Sequence, residues 1–340
     1  MATAAEVLKQ TAPAAAESAA VVVRQVQLDG QVVLKIMQHC DGALPNIVTG
    51  QLLGLDVGAL LEVTDCFPFP GGDDDTLDEQ AGANYQIEMM RCLREVNVDN
   101  NTVGWYQSSS FGSYQTTEMI ETFVSYHESI RKCVCLVYDP QRSARGQLAL
   151  KAVRLKDAFI THFKEQKLTG KDLREAGISW RDVFVEVPVR IHNSSLAQAL
   201  VADLDPAPRI TAPDLERLDL GGAAYLTKTI SGLIEGADDV LAEAQKISVY
   251  HRNLARQQQH MAQWLAKRRQ ENAARRAAGE EALPEEDPAA FKPIPEPPML
   301  EQYLVVNQLA AGCERATAAC QAGMSKLYVM QALQKGGAQA

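Results

Sequence analysis

The run Val103-Gly104-Trp105-Tyr106-Gln107-Ser108-Ser109-Ser110 decides how this chain is read. β-branched and aromatic residues lead into three serines, the composition of a strand that ends in a polar turn. Outward from it, short β-branched runs alternate with amphipathic helical runs from Val21 to about Leu155, which predicts a mixed α/β domain. Strands are expected at 21–28, 47–55, 60–68, 102–108, 133–138 and 148–153. Helices are expected at 32–39, at 77–96 with Tyr85, Met89, Leu93 and Val96 on one stripe, and at 116–129.

Beyond this core the pattern changes. A less regular stretch, 156–202, holds one more strand candidate at 183–191, where Val183, Val185, Val187 and Val189 alternate with Phe184, Glu186, Pro188 and Arg190. Pro188 donates no ladder hydrogen bond, so an edge position is expected. After the Pro-containing segment at 205–213, Leu, Ala, Gln and Arg dominate with helical spacing to about Arg276. Six prolines and several acids between Gly279 and Pro298 oppose a helix and read as an extended linker. A last helix follows from about Met299. The organisation expected is a disordered tail at 1–19, an α/β domain at 20–160, its irregular extension at 161–210, a helical region at 211–278, a Pro- and acid-rich linker at 279–298 and a C-terminal helix at 299–335.

Composition excludes several classes. No apolar run approaches the roughly 20 residues of a membrane-spanning helix. The Ala-rich start carries Glu6, Lys9 and Glu17 and lacks the basic start and apolar middle of a secretory signal. Seven cysteines in 340 residues form no dense even framework, which points to a reducing, cytoplasmic setting. With 33 basic and 43 acidic residues the net charge is −10, against a large phosphate-neutralising surface on the chain as a whole.

The Gly104-Trp105-Tyr106 frame resembles the metal-motif strand of the MPN (JAMM-type) family, whose active members read Gly-Trp-Tyr-His-Ser-His-Pro with a Ser and an Asp further on. By that resemblance the two His positions are held here by Gln107 and Ser109, the Ser by Thr117 and the Asp by Ile120. The run Gly50-Gln51-Leu52-Leu53-Gly54 matches the segment that follows the family's catalytic Glu, which puts Ile47 at the general-base position. A catalytic zinc needs about three side-chain ligands and a carboxylate to take a proton from its water. None of the five residues supplies either, so the JAMM motif is absent, no metal or cofactor is expected and the chain reads as no enzyme. A wider likeness singles out the metal-free branch of the family that belongs to the eukaryotic translation initiation factor three complex. It rests on Val26 to Gly30, Leu52 to Leu55, Val63 to Pro70, Gly104 to Ser108, and Val137 to Pro140 with Gly146.

That resemblance implies an MPN domain with a mixed sheet flanked by helices, followed by a helical assembly module. It implies a scaffold and regulatory role in protein biosynthesis, helping bring mRNA and initiator tRNA to the small ribosomal subunit. The implied partners are a second MPN protein as heterodimer, other members of the complex through a helical bundle, and the small ribosomal subunit through the complex. A silent MPN component of a proteasome-lid or signalosome type assembly is the alternative, and a zinc isopeptidase the remote one.

The remaining constellations favour plain structural readings. Cys133 and Cys135 share one face of a strand, and Cys313 and Cys320 one face of a helix two turns apart; both pairs read as packing. The acids Asp73, Asp74 and Asp75 read as a solvated loop favouring a helix start. None of His39, His127, His162, His192, His251 and His260 has metalloprotease spacing, and the serines at 108–110 lack a nucleophile elbow. The segment Lys267-Arg268-Arg269 with Arg275-Arg276 is the best RNA candidate, interrupted by Glu271, with a solvated face preferred. Along the last helix Tyr303, Val306, Leu309, Cys313, Cys320, Met324 and Leu327 form a mostly apolar stripe expected to meet helices of other proteins in the assembly.

Overall fold

Alternation along β4 (Thr102–Ser108) shows how the core is divided, because Trp105 and Tyr106 are both buried and face opposite sides of one sheet. The computed structural model describes residues 22–70, 79–145, 148–204, 223–278 and 294–337. The expected tail at 1–19, the acids at 73–75, the start of the second helix, Gly146, the segment at 205–213 and most of the 279–298 linker lie outside the described residues.

The chain lays down β1 (Gln25–Asp29), α1 (Gly30–Gly42), β2 (Thr49–Val57), β3 (Leu60–Pro68), α2 (Glu79–Glu95), β4, α3 (Thr117–Ser129), β5 (Val134–Tyr138), the single turn α4 (Pro140–Ser143) and β6 (Leu150–Leu155). Then come α5 (Asp157–Lys164), α6 (Gly170–Glu175), β7 (Phe184–Val187), β8 (Val189–His192), α7 (Ser195–Leu204), and the long helices α8 (Ala223–Ala278) and α9 (Leu300–Gly337). The strand order is β7-β6-β5-β4-β2-β3-β1-β8, with parallel and antiparallel pairs, so the mixed α/β architecture read from the pattern is borne out. One core cluster packs Trp105 on Phe123 and Tyr126 of α3, with Val153, Leu155, Phe159 and Leu173. The other packs Tyr106, Leu136 and Tyr138 with Val32, Ile36 and Cys40 of α1. A smaller third cluster holds α2 to the sheet through Leu53, Phe67 and Met90.

The stretch around Pro188 takes the edge position expected, but as two short strands in place of one. Val187 and Val189 flank one residue, yet β7 and β8 stand at opposite ends of the strand order. β7 pairs antiparallel with β6 through Val187 and Ala152, and β8 pairs parallel with β1 through Val189 and Val26. The stretch ties the two ends of the sheet together, and Pro188 sits at the handover. Its carbonyl accepts from the Val26 N–H at 2.9 Å, and its missing N–H breaks no ladder bond because each half pairs on one side only.

The region read as irregular is ordered around the same core. Thr169 caps α6 by accepting from the Asp172 N–H, and Leu173, Ile178, Val183 and Phe184 are all buried in the Trp105 cluster. Each fully buried side chain of this kind contributes roughly 1.5–3 kcal/mol. α8 and α9 form an antiparallel pair: Lys246 reaches Glu301 at 3.5 Å, and a Cβ at Gly236 would lie 3.6 Å from the Leu309 methyl. Among the described residues no helix is long and apolar enough to cross a membrane.

Candidate functional site

The end of β4, the entry to β2 and the start of α3 meet in one region. Its backbone is fixed by small residues and short hydrogen bonds. A Cβ at Gly50 would stand 2.4 Å from the Tyr106 ring, and one at Gly104 would stand 1.9 Å from the Val134 carbonyl oxygen, so only glycine lets β4 sit flush between β2 and β5. Tyr106 is thereby placed with its hydroxyl 2.8 Å from His39 Nδ1, and burial pushes the Tyr106 hydroxyl up and the His39 imidazole down. The Val48 N–H donates to Ser108 Oγ at 2.8 Å, and the Ser109 N–H donates to the Tyr138 carbonyl at 2.8 Å. Thr116 caps α3 by accepting from the Met119 N–H at 3.2 Å.

The five positions singled out from the sequence face different surroundings. Ile47 is exposed just before β2, and Gln107 is half-buried on β4 opposite Thr49 and Val137. Ser109 is buried with its hydroxyl donating to the Tyr138 carbonyl at 3.4 Å. Thr117 is exposed on the first turn of α3, whereas Ile120, one turn on, is fully buried in the Trp105 cluster. Among the described residues, no group of three or more His, Cys, Asp or Glu side chains could hold a metal ion. Cys133 and Cys135 are buried in the same cluster, and burial raises both thiols well above their ordinary value.

What occupies the neighbourhood is the chain's own last helix. Leu300 and Leu304 enter the Trp105 cluster, Tyr303 donates its hydroxyl to the Ile178 carbonyl at 3.4 Å, and Asn307 donates to the Trp180 carbonyl at 3.3 Å. Gln308 donates to Ser113 Oγ at 2.5 Å, and Arg315 donates to the Gly112 carbonyl at 3.2 Å. A cleft of about 230 Å³ remains between α9 and the sheet, lined by Ser109, Tyr114, Asp139, Arg142, Lys151 and Arg315. Asp139 is buried there and caps α4; burial raises its carboxyl, which the bond from the Arg142 N–H only partly offsets. Burial lowers the Arg315 guanidinium, and the nearby Tyr225 and Asp139 oppose that. Arg315, through its bond to the Gly112 carbonyl, seats α9 against the loop after β4.

The stripe along α9 is thus split between neighbours. Tyr303 packs on the Trp105 cluster, Val306 and Leu309 are half-buried, and Cys313, Cys320, Met324 and Leu327 are exposed. Periodicity alone does not single out the docking residues Leu300, Leu304, Gln308 and Arg315. A usable signal was present in Leu300 and Leu304 at i and i+4, with a lone arginine further along an alanine-rich face.

Residues 21–132 match the family model described as JAB1/Mov34/MPN/PAD-1 ubiquitin protease, and residues 143–339 match that described as the C-terminal region of eIF3h. The chain is 50% identical over 319 residues to the Arabidopsis thaliana protein named as the H subunit of eukaryotic translation initiation factor 3, covering 93% of this chain and 95% of that one. It is 40% identical over 315 residues to the protein of that name from Nematostella vectensis, covering 91% and 94%. With the Bombyx mori protein of that name it shares 41% over 319 residues, covering 92% of each.

Proposed function

The chain belongs to the family of the H subunit of eukaryotic translation initiation factor 3, with an MPN domain at its head, and from that premise we propose that it acts as a non-catalytic scaffold within the initiation complex. One feature supports the reading: by the resemblance, the positions that hold a metal ligand or base in active MPN proteins correspond here to Ile47, Gln107, Ser109, Thr117 and Ile120, and α9 seats itself against the loop between Ser109 and Thr117. Zinc binds thiolate, imidazole and carboxylate, and neutral amides and hydroxyls are poor substitutes.

In this role the MPN domain pairs with a second MPN protein. The exposed second half of the α9 stripe, Cys313, Cys320, Met324 and Leu327, enters a bundle with helices of other members of the complex. The assembly, working in the cytoplasm, helps bring mRNA and initiator tRNA to the small ribosomal subunit. The family match removes the proteasome-lid and signalosome alternatives.

The non-catalytic part is tested on the purified full chain incubated with zinc and linked di-ubiquitin. Neither stoichiometric zinc nor cleavage is expected; the two together would overturn it.

A further inference from the structure

The far half of α8 carries a charge pattern that the scaffold role leaves unused. Between Tyr250 and Ala278 seven arginines and lysines face the single acid Glu271, in a chain whose net charge is −10. The Lys246 to Glu301 pair marks where α9 begins beside α8, so α8 runs on for about 32 residues, or about 48 Å at 1.5 Å per residue, past that point.

The structure sorts these charges by face. Arg268 lies 5.3 Å over the Trp264 ring and pairs with Glu271 at 3.6 Å, its side chain 23% exposed, so the densest run of basic residues is partly engaged within the helix itself. Arg252, Arg256, His260 and Lys267 follow at i, i+4, i+8 and i+15, within about 80° of arc at 3.6 residues per turn. Gln259, Gln263 and Gln270 fall among them, and all seven are exposed. None of the four basic side chains is tied to an acid among the described residues. Leu254 and Leu265 are half-buried on the opposite side. A helix of this kind covers its apolar side with partners and leaves the basic side outward. The stripe is exposed on this chain, opposite the half-buried leucines.

We propose that this face of α8 binds the phosphate backbone of RNA. Arg252 and Arg256, about 6 Å apart along the axis, and Lys267, about 16 Å further on, lie on one face that can follow a strand, and the interleaved glutamines add amide donors for phosphate and sugar oxygens. The stripe, about 27 Å from Arg252 to Gln270, is long enough for several consecutive phosphates. The inference goes beyond the scaffold role and stands without it, since it concerns direct contact by this chain.

The test measures anisotropy of a fluorescein-labelled single-stranded RNA of about 20 nucleotides on the full chain, from about 50 to 200 mM salt. Two triple variants are compared at equal net charge: Arg252→Glu, Arg256→Glu, Lys267→Glu on the stripe, and Arg91→Glu, Arg131→Glu, Lys171→Glu elsewhere on the surface. Losing three phosphate contacts should flatten the slope of log affinity against log salt by about 2, and binding at low salt should fall at least about tenfold. The control triple should stay within about twofold of the parent. No binding by the parent chain, or equal losses in both variants, overturns the proposal. Displacement of the RNA by polyglutamate at equal charge would reassign the face to an acidic protein and overturn it as well.

Discussion

Shortening Leu304 to alanine separates the two halves of α9 in energetic terms. Leu304 is 5% exposed and belongs to the cluster built on Trp105, whereas Leu327, on the same helix, is 46% exposed. The same substitution at the two sites changes helix propensity equally, so the difference isolates packing against the MPN domain. Leu304→Ala removes buried methyl groups and leaves a cavity, a loss of about 2–5 kcal/mol; Leu327→Ala should cost no more than about 0.5 kcal/mol. Urea unfolding followed by tryptophan fluorescence reads the effect, since Trp105 is buried where Leu304 packs. At a slope of about 3 kcal/mol per molar, the midpoint of Leu304→Ala should fall by about 1 M while that of Leu327→Ala stays near the parent. Equal midpoints for the two variants would refute the docking of α9 on its own domain.

Three further outcomes follow from the same contacts. Gly50→Ala, which sets a methyl 2.4 Å from the Tyr106 ring, should destabilise the chain by about 1–3 kcal/mol in the same unfolding assay. Because burial raises the Asp139 carboxyl above its ordinary value of 3.8, its favourable contribution is complete below that value and is lost as pH climbs through the raised one. Asp139→Asn, which can still cap α4, should therefore gain stability relative to the parent on going from about pH 3 to neutral, measured by unfolding at each pH. Native thiol titration should modify the exposed Cys92, Cys313 and Cys320 quickly and spare Cys40, Cys66, Cys133 and Cys135, the first two of which burial pushes up to about 12.

How far the fold could be read in advance depends on which elements carry a local signal. β3 and β4 begin and end where their apolar and β-branched runs do: β3 is bounded by Pro68, and β4, buried on both faces, runs between Asn101 and the serines after it. The short helices α5 and α6, of 8 and 6 residues, are too brief for a helical period to stand out, and their stability comes from Phe159 and Leu173 entering the core. The closing stretch around Pro188 was visible as a strand, but its two partners are set by the sheet ends meeting in space. At the proposed metal-free site the reading comes from residue type alone, since Gln107 and Ser109 are poor zinc donors and Ile120 offers none. The arrival of α9 was not legible: periodicity identified a face through Tyr303 and Leu309, and nothing local says whether the chain's own domain or a neighbour covers it.

The scaffold account is tested most directly by recovering the tagged full chain natively from its own cells, identifying its partners by mass spectrometry and sedimenting the recovered material. The account predicts co-recovery with other members of the translation initiation factor 3 complex, a second MPN protein among them, and co-sedimentation with the small ribosomal subunit. Recovery of the chain alone, or with components of a different MPN-containing assembly and no ribosomal association, would contradict it.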